Sequence, residues 1–357
     1  MRPTLQTVAD ELGVSRSTVS NAYSRPDQLS AELREKVLET ARRLGYPGPH
    51  PTARSLRRGT TGAIGVLLNA AVSVAFTDPY TVQFMSGLAA AAERHETGLL
   101  LVPLSGSDDE TAVRLVQDAS VDGFCVYGLP DGHRSLDAVR ARRLPIVNAD
   151  RRDDDPDAMF VGIDDAAAAR TAGAHLAGLG HRRIAAIFAL PASGRPTGPV
   201  SLAGPDDLPY HFSRERLRGY RDALAEAGVG WAELAFAGAA SYTRADGAAA
   251  AALLLDRPPR PTAIVAVNDM LALGVLDALA ERGLRPGHDI SVIGFDDVPE
   301  AATAGLTTVR HSAREMGRVA GGLLLDPPAG RAARDVVLPA ELVVRASTGP
   351  APTEGAR

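Results

Sequence analysis

The sequence predicts an α/β chain in two parts, a short all-helical head followed by two lobes of parallel β-sheet. Apolar residues recur at helical spacing through the first 45 residues, and from residue 62 onward short apolar runs alternate with helical patterns. The charge is also unevenly divided: residues 1–58 hold ten Lys or Arg against six Asp or Glu, while the full 357 residues have a net charge of −5. A basic head on an acidic body points to an anionic partner for the head. With 45% hydrophobic and 23% charged residues, the chain can bury ordinary cores and is long enough for two or three domains. Its single cysteine, Cys125 in "VDGFCVY", excludes an internal disulfide framework and a multi-cysteine metal centre, and is expected to pack in a core. The opening "MRPTLQTVAD" lacks the apolar segment of a secretory signal, and no 18-residue apolar run could span a bilayer. A cytoplasmic protein with no membrane partner is expected.

In the head, Thr4 is placed to cap a first helix whose stripe is Leu5, Val8, Ala9 and Leu12, ending at Gly13. Ser15 can cap a second helix with Thr18, Val19 and Ala22 inward and Arg16, Ser17, Ser20 and Asn21 on the opposite face. Ser30 starts a third, with Leu33, Val37, Leu38, Ala41 and Leu44 inward and Gly45 at its end. Three such helices with a tight turn at Gly13 make a helix-turn-helix unit. The polar face of the second helix suits the reading of DNA. Arg offers a fork to guanine O6 and N7, Asn pairs with adenine N6 and N7, and Ser reaches bases or phosphates. An ordinary solvated helix face is the alternative, and the basic charge together with the helix spacing favours DNA. Thr4, Ser15 and Thr18, at the helix starts, complete the expected set of contacts.

Beyond the head, "AIGVLL", "GLLLVPL", "VDGFCVY" and "LPIVNA" read as strands. Between them lie segments such as "VQFMSGLAAAAERH", where Val82, Met85, Leu88, Ala89 and Ala92 keep helical spacing. A second set follows in "RIAAIFAL", "ELAFAG", "TAIVAV" and "DISVIGF", so two similar parallel-sheet lobes are indicated.

At this density of motifs the chain resembles the lactose-repressor (LacI/GalR) family of bacterial transcription regulators. The head "LQTVADELGVSRSTVSNAYSRPDQLSAELREKVLETARRLGY" matches, as do "ARSLRRGTTGAIGVLL", "VGIDDAAAARTAGAHLAGLGHRRIA", "RERLRGYRDALAEAG", "AIVAVNDMLALGVLDALAERGL" and "DISVIGFDDVPEA…LTTVRHSAREMG". The resemblance implies that Arg16, Ser17 and Asn21 hold the principal base-reading positions. It implies a hinge helix over "PTARSLR", residues 51–57, with Ala53, Leu56 and Arg57 on DNA and Leu56 wedged into a base step from the minor groove. "YPGPHP" departs from the family by one extra residue between Tyr46 and the hinge. A core like the periplasmic binding proteins is also implied, its lobes joined by several crossings and closing on a ligand. The domains expected are a head at 1–48, hinge and linker at 49–61, an effector-binding and dimerisation core at 62–348, and a polar tail at 349–357. Within the core the first lobe takes 62–162 and 312–327, and the second 163–311 and 328–348.

Ligands in open α/β sheets sit at the carboxyl ends of strands. Asp150 ends "PIVNAD", Asn268 ends "TAIVAVN" and Asp296 ends "VIGFD", each the first strongly polar side chain past an apolar strand. With Asp78 and with Arg216 of the "RERLRGY" segment, they form a set able to bind vicinal hydroxyls, as in a sugar or polyol. A strand-end turn cap is the competing role for each. Phe76, Tyr80 or Tyr242 could supply aromatic stacking, although core packing explains aromatics equally well. Asp297 is assigned a structural role, and the lone His311 is given little weight. Residues 191–212, with five prolines and three glycines, read as a loop, either a lid over the cleft or an insertion with no role.

No catalytic motif occurs, no cofactor is called for, and "GLGHRRIA" is a helix-to-strand turn. A transporter's solute-binding protein would share the two lobes but would lack residues 1–58. The expected function is a homodimeric, ligand-gated repressor of carbohydrate-utilisation genes that binds a pseudo-palindromic double-stranded operator and answers to a small molecule, a sugar, with a non-sugar ligand or a protein partner as the alternative effector. "ASTGPAPTEGAR" has no leucine heptads, which favours a dimer over a coiled-coil tetramer.

Overall fold

The computed structural model of the chain describes residues 3–48, 59–69, 72–104, 108–152, 155–190 and 195–352. These form two units, Met1–Gly62 with Ser120–Asp122, and Ala63–Ala119 with Gly123–Arg357.

The first unit holds three helices, and local chemistry sets their ends. α1 (Leu5–Leu12) begins with a capping box in which the Thr4 hydroxyl accepts the Thr7 N–H and the Thr7 hydroxyl accepts the Thr4 N–H. It stops at Gly13, whose φ of 64° a side chain would resist. α2 (Arg16–Ser24) and α3 (Ala31–Leu44) are capped by Ser15 and Ser30, each such cap contributing about 1 kcal/mol. Val8, Ala9, Val19, Ala22, Val37 and Ala41 form the shared core, and Leu5, Leu12, Leu33 and Leu44 pack around it.

In the second unit, the first sheet runs in the order β12-β5-β4-β3-β1-β2, all parallel. Its strands are β1 (Ala63–Leu68), β2 (Gly98–Pro103), β3 (Phe124–Tyr127), β4 (Ile146–Ala149), β5 (Met159–Gly162) and β12 (Asp335–Val337). The second sheet runs β13-β11-β10-β9-β6-β8-β7, from β6 (Ile184–Ala189), β7 (Gly198–Pro199), β8 (Ala235–Ala239), β9 (Ala263–Ala266), β10 (Ser291–Asp296), β11 (Thr307–Arg310) and β13 (Glu341–Val343). Its two edge strands, β13 and β7, are antiparallel to their neighbours. Helices α4 (Pro79–Arg94), α5 (Asp109–Asp118), α6 (Arg134–Ala141) and α11 (Ala313–Leu325) belong with the first sheet, and α7 (Asp165–Gly178), α8 (His211–Glu226), α9 (Arg244–Leu255) and α10 (Asp269–Glu281) with the second. Among the described residues the chain passes between lobes after β5, after β11 and between β12 and β13. All eight strand runs expected from the sequence are present.

Glycine lets helices approach to backbone contact. A Cβ on Gly87 of α4 would fall 1.9 Å from the Arg314 carbonyl oxygen, and one on Gly317 of α11 would fall 2.0 Å from that of Phe84. This contact centres the buried stripe of α4 on Phe84, Leu88, Ala91 and Ala92, and leaves Val82 exposed. The expected stripe through Val82 and Met85 is thus rotated, because backbone approach at a glycine, invisible to a count of apolar residues, decides which side faces in.

Three further expectations are corrected. Residues 335–337 join the first sheet beside β5, whereas the sequence places 328–348 in the second lobe. A three-residue strand carries too little pattern to announce its partner. The tail does not begin at 349: the Gly349 carbonyl oxygen lies 3.0 Å from His181 Nε2, and the Ala351 N–H donates to Leu179 O at 2.8 Å. Residues 195–212 are also more than a loop, since they supply β7 and the buried Leu208 and Tyr210. Cys125 is buried as expected, and burial raises its thiol pKa.

Candidate functional site

On α2, Arg16 and Ser17 are exposed, as a reading face requires. Ser15 Oγ lies 2.6 Å from Ser17 Oγ and 2.8 Å from Thr18 Oγ1, and accepts the Thr18 N–H, so the hydroxyls are gathered at the helix start. Thr4 stands exposed at the start of α1. Asn21 is half-buried, its amide donating to Gln28 Oε1 at 3.3 Å. Ser20 is the exception: it is 5% exposed, so it leaves the exposed set. Periodicity gave its azimuth correctly with Arg16. The second half of α2, however, is flanked by α3, where Arg34 Nε donates to Ala22 O, and by the turn Pro26–Gln28. Ala53, Leu56 and Arg57 lie outside the described residues.

In the larger unit the sequence-predicted acids stand where strands end. Asp150 follows β4 with φ 127°, and Asp296 closes β10 with φ 116°. Such angles cost a non-glycine residue about 1–3 kcal/mol and persist only where the surroundings enforce them. Asp150 Oδ2 accepts the Gly128 N–H at 2.9 Å, while Oδ1 is buried with no hydrogen-bond partner among the described residues. Burial pushes the Asp150 pKa up to about 8, against the opposing Gly128 hydrogen bond.

Arg216 of α8 is the hub of the second lobe's network. Its Nε donates to Asp165 Oδ1 at 2.8 Å, Nη1 donates to Val267 O at 2.6 Å and lies 3.7 Å from Asp296 Oδ1, and the guanidinium sits 3.5 Å from the centre of the Phe295 ring. Burial works against its charge, yet Asp165 and Asp296 together hold its pKa above the usual guanidinium value. Asp296 is raised above the carboxylate range by burial, with Arg216 pulling the other way. His311 Nε2 lies 3.2 Å from Asp296 Oδ1, and Nδ1 lies 3.3 Å from Tyr80 Oη. Burial, then the charge of Arg216, lowers the His311 pKa to about 3, so the ring is neutral. Nε2–H then donates to Asp296 and Nδ1 accepts from Tyr80. This chain of contacts runs from α4 in the first lobe to α8 in the second.

Tyr242 adds a hydroxyl that is buried without a partner among the described residues. Its ring centre is 6.3 Å from those of Tyr210 and Phe212, and its pKa is raised by burial first, with Asp150 among the charges acting on it. Two expected ligand residues cap helices, the alternative weighed for each. Asn268 Oδ1 accepts the Leu271 N–H at 3.0 Å to start α10, and Asp78 Oδ2 accepts the Thr81 N–H at 2.8 Å to start α4. Asp78 is still near enough to raise the pKa values of Tyr127 and Asp296. Phe76 is 66% exposed and belongs to no ring pair among the described residues, so it does not join the aromatic wall. Asp297 is held by Arg310 at 2.6 Å and Arg345 at 2.7 Å, in keeping with a structural role.

Sequence reasoning missed Asp165 and undervalued His311. Asp165 had a signal: "DD" follows β5 at 164–165 just as it follows the body of β10 at 296–297, and in each pair one acid meets Arg216 while the other caps a helix or pairs elsewhere. His311 had none, because its partners Tyr80 and Asp296 come from distant segments. No group of three or more His, Cys, Asp or Glu is placed to hold a metal ion among the described residues, and none of their helices is long and apolar enough to cross a membrane.

Residues 4–48 match the family described as bacterial regulatory proteins, lacI family, and residues 173–348 match the periplasmic binding protein-like domain. An HTH-type transcriptional regulator of Mycolicibacterium smegmatis is 40% identical over 98% of this chain and 97% of its own length. Among solved structures, the lac repressor dimer bound to operator and the anti-inducer ONPF aligns with TM-score 0.76 at 26% identity, covering 98% of this chain and 99% of that one. The transcriptional regulator CelR in complex with cellobiose aligns with TM-score 0.65 at 28% identity, covering 97% and 100%. Head, two-lobed core and full-length similarity agree: this chain belongs to the lacI family of bacterial regulatory proteins and is a DNA-binding transcriptional regulator.

Proposed function

We infer that this regulator is a homodimeric repressor of carbohydrate-utilisation genes, bound to a pseudo-palindromic operator and released or engaged by a neutral polyhydroxylated molecule, a sugar or polyol, held between the lobes. Arg16, Ser17 and Asn21 read base edges, and Ala53, Leu56 and Arg57 of the hinge engage the minor groove. Closure of the lobes on the effector alters the separation of the two hinges and so operator affinity.

The observation that carries the effector reading is that two of the buried polar atoms without a partner among the described residues, Asp150 Oδ1 and Tyr242 Oη, come from opposite lobes. Buried polar atoms are nearly always hydrogen-bonded, so these two call for an occupant that exchanges hydrogen bonds with a carboxyl group and a phenol. A hydroxyl does both. The cellobiose held by CelR and the operator held by the lac repressor dimer are in line with both halves of the reading.

The test is thermal melting of the full-length protein against sugars, sugar acids, polyols and nucleosides. A ligand at one hundred times its Kd stabilises by about 2.7 kcal/mol. A hit among neutral carbohydrates or polyols is expected, with Asp150→Asn and Tyr242→Phe losing the shift and keeping operator affinity. Arg216→Ala is the poorer probe, because it breaks a buried network as well as a ligand contact. A hit that survives both substitutions places the effector elsewhere, and a panel with no neutral hit removes the sugar reading.

A further inference from the structure

The segment 195–214 precedes and opens α8 and is fastened to the second lobe along its length. β7 pairs with β8, Thr197 Oγ1 donates to Asp246 Oδ1 at 2.8 Å, Trp231 Nε1 donates to Leu202 O at 2.8 Å, and Arg218 Nη2 donates to Asp206 Oδ1 at 2.8 Å. Its far end reaches the first lobe. The Asp131 N–H donates to Pro209 O at 3.0 Å, Asn69 Nδ2 donates to Tyr210 Oη at 2.8 Å, and the Asp131 carboxylate pairs with Arg214. The other oxygen of Asp131 accepts from Arg151 Nη1 at 3.1 Å, which anchors that acid within its own lobe.

All the first-lobe partners lie at carboxyl strand ends: Asn69 after β1, Asp131 in the loop after β3, Arg151 after β4 beside Asp150. On the other side the Tyr210 ring, 2% exposed, abuts Phe212 at 5.7 Å and Tyr242 at 6.3 Å between ring centres. These lobe-to-lobe contacts lie at carboxyl strand ends, as Asp150 does, and add to the Tyr80–His311 contact already described. Their strength fits a fastening that opens. Arg214 is 14% exposed but Asp131 is 43% exposed, so water competes for the ion pair.

The geometry points to residues 205–214 as a latch across the mouth of the inter-lobe cleft, in which Tyr210–Asn69 and Arg214–Asp131 hold the lobes together and part when an effector enters or leaves. The inference rests on the cleft being the effector site, and it assigns that site's regulation to side chains other than those of Asp150 and Tyr242.

Hydrogen–deuterium exchange and small-angle X-ray scattering on the full-length protein, with no ligand added, test the latch whatever the effector proves to be. Asn69→Ala with Asp131→Ala should raise uptake in 128–133 and in 205–212 together by about fivefold or more, leave 263–281 unchanged, and enlarge the radius of gyration. Arg214→Gln, which spares the first lobe, should do the same to a smaller degree, so the inference stays open to test if the double variant folds poorly. Unchanged uptake in both segments overturns the latch. Uptake that rises without expansion also overturns it, since the segment would then fray without holding the lobes.

Discussion

Arg216→Met tests whether the buried charge network holds the second lobe together. The three charged side chains are 7% exposed for Arg216, 6% for Asp165 and 8% for Asp296. Methionine keeps the stem's apolar bulk but leaves two carboxylates without their common cation and Val267 O without its donor. Removing one member of a buried pair costs about 3–5 kcal/mol, against about 0–1 kcal/mol for an exposed pair. The loss should depend on pH. With the guanidinium gone, the pKa of Asp296, which burial raises and Arg216 lowers, rises further in the folded state, which then binds a proton that the unfolded chain does not. Such a proton stabilises the fold as pH falls, so the deficit should be full at pH 8 and smaller at pH 5.5. Urea unfolding followed by the fluorescence of Trp231, the only tryptophan and a second-lobe residue, reads the affected lobe. Adding Asp165→Asn should return part of the loss. A deficit below about 1 kcal/mol at pH 8 would refute the buried-network argument, as would an equal deficit at both pH values.

On the DNA side, Arg16→Ala should cost about 1–3 kcal/mol on the preferred operator and little on random DNA in a binding titration; equal losses on both would mean phosphate contact only. Asp150, with a folded pKa of about 8 against a usual 3.8, penalises folding increasingly as pH rises between those values. Asp150→Asn should therefore melt near the parent at pH 4 and above it at pH 8, and parallel melting curves across that range would count against the burial of its charge. Gly219→Ala places a Cβ 2.1 Å from the Ala166 carbonyl oxygen, so α7 and α8 must separate. A loss of about 1–3 kcal/mol or more is expected in urea unfolding, and a neutral result would mean that the two helices are not in backbone contact.

What the sequence determined by itself was local. Helix starts at Thr4, Ser15 and Ser30 and stops at Gly13 and Gly45 depend on bonds spanning three or four residues, and the apolar runs become strands of two mainly parallel sheets, whose central members are buried on both faces. Asp150 and Asp296 were legible as strand ends for the same reason, each being the first strongly polar residue past an apolar run. Tertiary structure decided what those residues face. Ser20 shares an azimuth with Arg16 yet is covered, because helical periodicity carries no information about how far along its axis a neighbour reaches. Asn268 and Asp78 turn their oxygens to helix N–H groups, while Arg216 finds Asp165 and His311 meets Tyr80 across 231 residues of chain. Such pairings depend on how two sheets and three crossings close in space. No spacing in the sequence encodes a contact between groups that only a folded backbone brings within 3 to 4 Å.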